Sequence, residues 1–102
     1  MTLEKVTAIL KEASDTVNGP RQAAYGHPKV NFQRIADIWN VHLASKMGVE
    51  SVVGTNCAYH RITARDVAIM LIGLKLAREA QSPKHDSLVD IIGYAALAEE
   101  LE

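Results

Sequence analysis

Lys75 and Arg78 stand three residues apart, and Asp86, Asp90 and Tyr94 follow at intervals of four. On helices each set shares one face. Two cations on one face can hold a phosphate or pair with a carboxylate. Asp86 and Asp90 opposite them can hold a divalent cation, magnesium by chemistry, or orient the basic groups. A second set, Tyr25-Gly26-His27-Pro28, places a phenol ring and an imidazole on a glycine-hinged connector. Such a loop can stack on a base and hydrogen-bond it. Arg34 follows as a phosphate clamp candidate, and Asn31 reads as a helix cap. Each set also has a purely structural reading. The first would be a buried ion pair locking two helices, and the second a connector with Tyr25 packed on the core. Spacing alone does not separate these.

These residues need helices to position them. Leu3, Val6, Ile9, Leu10, Ala13 and Val17 give one apolar stripe, which predicts a helix from about Thr2 to Val17, capped by Thr2 and stopped by Asn18-Gly19-Pro20. Residues 21–28 then form a connector, with a helical turn at Gln22–Tyr25 broken by Gly26 and Pro28. A second helix is expected from Asn31 to Met47, burying Phe32, Ile35, Ala36, Trp39, Leu43 and Met47. The stretch 48–62 reads as a loop, with Val49–Val53 as a short strand or turn within it.

Thr63 and Asp66 have capping-box spacing and open a third helix running to Gln81, stopped by Ser82-Pro83. Asp86 is expected to cap a fourth that runs to the C-terminus. The short link between them predicts an antiparallel hairpin. Both helices are apolar almost all the way round, as in 67–74 and 91–98. Neither is long enough to span a bilayer, so both are expected in the core. Lys75, Arg78 and Asp90 must then be paired or held for a ligand, because an unpaired buried charge is costly.

Residues 1–102 are expected to form one domain. A 48% apolar composition suits a compact fold, and a formal charge of −1 gives no global pull toward nucleic acid or an anionic membrane. Cys57 is the sole cysteine, so no intrachain disulfide forms. His42 and His60 have no partner at metal-ligand spacing. The sequence has no glycine-rich phosphate loop and no serine elbow. The opening residues lack the apolar segment of a signal peptide, so a cytoplasmic location is expected.

Tyr25-Gly26-His27-Pro28, Asn31-Phe32, Arg34-Ile35-Ala36, Trp39, Thr63, Asp66-Val67-Ala68, Lys75, Ala77-Arg78, Lys84, Asp86-Ser87, Val89-Asp90 and Gly93-Tyr94-Ala95 resemble a family of small proteins of unknown function. Its members are typically encoded by tailed phages and prophages. More distantly, the last two helices resemble the MazG-like all-α nucleoside-triphosphate pyrophosphohydrolases. Those enzymes carry E-x-x-E on one helix and E-x-x-D on the next, four acids that bind magnesium and activate water. Asp90 falls on the aspartate of the second motif. Ser87 stands in place of its glutamate, and Lys75 and Arg78 stand where the first motif has acids.

The resemblance implies an all-α four-helix MazG-like domain that handles a phosphorylated nucleotide. With bases in place of acids, binding with weak or no hydrolysis is favoured. A magnesium-dependent pyrophosphohydrolase and a structural protein with an ion-paired core are the alternatives. Lys75, Arg78 and Arg34 would meet phosphates, Asp86 and Asp90 a Mg2+ ion, and Tyr25, His27 and Tyr94 the base. The apolar surface exceeds what a monomer of this size can bury, so a homodimer or higher homo-oligomer is expected.

Overall fold

The computed structural model describes residues 2–48 and 61–101, with Arg21 described by its backbone only. The chain is all-α, with no strand among the described residues. Four long helices, α1 (Leu3–Asn18), α3 (Pro28–Met47), α4 (Ala64–Gln81) and α5 (His85–Glu100), are joined by a short α2 (Pro20–Tyr25). The short strand or turn expected at 49–53 lies outside the described residues, as do Cys57 and His60.

Thr2 caps α1 as its sequence suggests, its Oγ1 accepting the Lys5 N–H at 3.2 Å. The α1 stripe is only partly used. Ala13 is buried and Val6, Ile9 and Val17 are half-buried, but Leu3 and Leu10 face solvent. The expected turn at Gln22–Tyr25 is a helix of its own, begun by Pro20 and ended by Gly26. Gly26 takes φ +82°, a left-handed conformation that a residue with a Cβ rarely adopts, and its N–H donates to the Gln22 carbonyl at 2.7 Å.

α3 begins three residues earlier than expected. Pro28 is not a breaker but the first helical residue, where its missing N–H costs nothing. The cap is therefore His27, whose Nδ1 accepts the Lys29 N–H at 3.1 Å, and not Asn31. Phe32, Ala36, Asn40 and Ala44 are the buried face of α3, with Ile35, Trp39 and Leu43 half-buried beside them. Met47, expected in that stripe, is exposed. Asn40 is 1% exposed and clips the approach to α4. Its Nδ2 donates to the Ile62 carbonyl, and its Oδ1 accepts the Ile62 N–H, both at 2.8 Å.

The capping box of α4 is complete. Thr63 Oγ1 accepts the Asp66 N–H at 3.1 Å, and Asp66 Oδ2 accepts the Thr63 N–H at 2.9 Å. α5 starts at His85 with Lys84 at the cap position, so Asp86 is not the cap but an acid in the first turn. The Lys84 N–H is bonded instead by Glu79 Oε2 at 2.9 Å.

α4 packs on α5 and α3, α1 packs on α5 and α2, and α2 touches α3. The shared core is Phe32, Ala36, Ala64, Val67, Ala68, Leu97, Ala98 and Leu101, with Trp39, Leu71 and Tyr94 against it. One expectation is overturned here. α4 and α5 are not enclosed on every side, because Ile69, Met70, Leu74, Leu76 and Leu88 are all exposed in the single chain. No described helix is long and apolar enough to cross a membrane.

Candidate functional site

A cleft of about 280 Å³ opens where α1, α2, α3 and α5 converge. That is just under the roughly 300 Å³ at which small-ligand sites begin. Its walls are apolar: Val17 from α1, Phe32 from α3, Val89 and Leu97 from α5, and Pro28. Set among them are Thr16, Gln22, Tyr25, Asn31, Asp90 and Tyr94. The walls stand close at one point, since a Cβ on Gly93 would lie 3.0 Å from Val17 Cγ2. Tyr94 is fixed by its neighbour Phe32, with ring centroids 6.3 Å apart and planes tilted by 46°.

The polar groups of the cleft differ in how far they are committed. Thr16 Oγ1 is bonded to the Glu12 carbonyl at 2.9 Å. Asp90 Oδ2 lies 2.8 Å from Lys75 Nζ, with both side chains only 16% exposed. Among the described residues, the amides of Gln22 and Asn31 and the hydroxyls of Tyr25 and Tyr94 make no hydrogen bond. Two amides and two phenols on apolar walls are donors and acceptors able to read the edge of a flat heterocycle.

The residues singled out from the sequence divide accordingly. Tyr25, Asp90 and Tyr94 meet in the cleft, and Lys75 sits behind Asp90. Arg78 does not join them. It is exposed near the end of α4, and the partner of Asp90 is Lys75. Arg34 is exposed on α3, and neither arginine lines the cleft. His27 is used as a cap, and Asp86 is exposed at the start of α5. Asp86 and Asp90 therefore do not make a magnesium site. Asp90 is held by an ammonium, and no group of three or more His, Cys, Asp or Glu among the described residues could hold a metal ion.

Gln22 and Thr16 were missed because neither belongs to a helical pattern of chemical residues. Asn31 was visible but assigned to capping. The proline three residues before it is the signal that frees its side chain.

An ion pair also borders the cleft one turn away. His85 Nε2 lies 2.7 Å from Glu12 Oε2, joining α5 to α1. The Glu12 carboxylate, by hydrogen bond and then by charge, raises the His85 pKa above its ordinary value, and Asp86 adds to this.

Residues 8–102 match the family described as Domain of unknown function (DUF6378), and the chain belongs to that family. Relatives are found among phage-encoded proteins. Gene 55 protein of Mycobacterium phage L5 is 38% identical over 96 residues, which is 93% of this chain and 53% of the relative. Gene 55 protein of Mycobacterium phage D29 is 33% identical over 95 residues, 92% of this chain and 53% of the relative. The chain thus spans about half the length of these relatives. No solved structure matches it.

Proposed function

We propose that the cleft binds the base end of a phosphorylated nucleotide, with weak or no hydrolysis, in the host-cell cytoplasm. One observation carries this reading: Gln22, Tyr25, Asn31 and Tyr94 bring uncommitted donors, acceptors and rings from three helices to one apolar-walled cleft. Aromatic faces and side-chain amides are the chemistry of base recognition.

The likeness to the MazG-like arrangement supports the same reading. It rests on α4 and α5 as an antiparallel pair, which a three-residue link and the Lys75–Asp90 contact favour. The cationic floor expected from Lys75 and Arg78 is replaced. Asp90 neutralises Lys75, and Arg78 lies outside, so the phosphates are left at the mouth in water. Hydrolysis finds no support in the described carboxylates.

The test is calorimetry with nucleosides and their mono- and triphosphates, with and without magnesium. Micromolar binding is expected. Affinity should change less than about tenfold, or about 1.4 kcal/mol, between mono- and triphosphate. Asn31→Ala and Tyr94→Phe should weaken binding in a folded protein. Absence of any heat with a well-folded sample would overturn the proposal.

A further inference from the structure

The outer face of α4 carries large aliphatic side chains with nothing on them. Ile69, Met70, Leu74 and Leu76 are each 44 to 55% exposed. Gly73, Ala77 and Ala80, on the same helix, are exposed as well. A contiguous apolar patch of this kind marks an interaction surface. The rest of the molecule argues the same way. Six of the eleven buried apolar residues described are alanines, so the core of the single chain is thin. Its radius of gyration is 16.0 Å, against about 13 Å for a compact domain of this length.

The order of residues on that face suits a copy of itself. Gly73 stands at the middle of α4, and a Cβ built there would meet nothing within 4 Å. A two-fold axis at Gly73 lays two copies of α4 antiparallel. Leu76 then meets the partner's Met70, and Ile69 meets the partner's Ala77, large on small across the axis. Glycine at the crossing lets the two backbones approach closely. Charge selects this direction. A parallel pair would stack Arg65 on Arg65 and Arg78 on Arg78, whereas the antiparallel pair superposes neither.

The area is sufficient. The four aliphatic side chains expose roughly 400 Å², and with the small residues and flanks each copy would bury about 600 Å², reaching the roughly 1,200 Å² total of a specific interface. We propose that the exposed face of α4, centred on Gly73, is the antiparallel two-fold interface of a homodimer.

Sedimentation equilibrium of the whole chain at micromolar concentration should give twice the 11.1 kDa chain mass. Gly73→Glu puts two carboxylates at the axis, where the single chain has open space, and glutamate favours helix over glycine. The variant should keep its helical circular dichroism and raise the dimer dissociation constant at least tenfold. Gly73→Cys, in a Cys57→Ser background, should form an interchain disulfide under mild oxidation, whereas Ala24→Cys in the same background should not. A monomeric wild type at hundred-micromolar concentration would overturn the proposal. So would a folded Gly73→Glu variant that stays dimeric, or equal crosslinking at both cysteine positions.

Discussion

Lys75 and Asp90 each need the other, since both are mostly withdrawn from water and 2.8 Å apart. Removing one strands the other. A fully buried pair broken in this way loses about 3–5 kcal/mol; with 16% of each side chain exposed, about 1–3 kcal/mol is expected for Asp90→Ala. Denaturant unfolding of a double-mutant cycle with Lys75→Met should give a coupling above about 1 kcal/mol, and additive effects would show that the contact is weak. The sequence placed Lys75 and Arg78 equally near Asp90. Three residues turn a helix by about 300°, so the second cation points some 60° away from the first and ends in solvent. The His85–Glu12 pair answers to pH. Because Glu12 raises the His85 pKa in the fold, its stabilising contribution is full below the unfolded value near 6.5. It is lost as pH rises through the higher folded value. Thermal melts should therefore show a stability decline above about pH 6.5 that is absent in Glu12→Gln.

At the level of elements, local chemistry was legible and packing was not. Thr63 and Asp66 wrote their capping box openly, because a cap needs only residues three apart. Pro28 misled, since a proline stops a helix from inside but starts one from its first position. The apolar sides of α4 and α5 misled differently: an unbroken hydrophobic run does not say which of its faces the same chain will cover. Gly93 is the element-scale feature that sets the cleft, by letting α1 come close to α5. In Gly93→Ala the new methyl would press on Val17 Cγ2 at 3.0 Å, so Val17 or α1 must give way. Calorimetric affinity for the cleft's occupant should fall several-fold, while the α4–α5 contact and the assembly state are unchanged. An unaltered affinity would mean that this close approach does not shape the cleft.

On the scale of the whole molecule, the cleft could not be read from any one segment. Its lining runs from Thr16 to Leu97 and comes from four helices. Only Tyr25, Asp90 and Tyr94 were foreseen in it, each because its residue type is chemically conspicuous. Val17, Val89 and Leu97 were legible as apolar stripe positions, but stripe membership does not distinguish a cleft wall from a packed core. The cationic floor failed for a related reason: helix registers fix which residues share a face, and tertiary packing decides whether that face looks into a cleft, onto a carboxylate or into water.

α1 meets the rest of the fold mainly through α5 and α2, yet it supplies Thr16 and Val17 to the cleft. A wall held by so few neighbours makes occupancy and docking one linked equilibrium. If α1 were seated in about one molecule in ten, the apparent dissociation constant would stand about tenfold above the intrinsic one. The occupant would then act as the missing adhesive. Amide hydrogen exchange should slow across α1 when the cleft is filled, with α4 unaffected. Raising the solution pH through the His85 titration should weaken affinity and speed that exchange together, making the imidazole at the far end of α5 a dial on how much of the population is ready to bind.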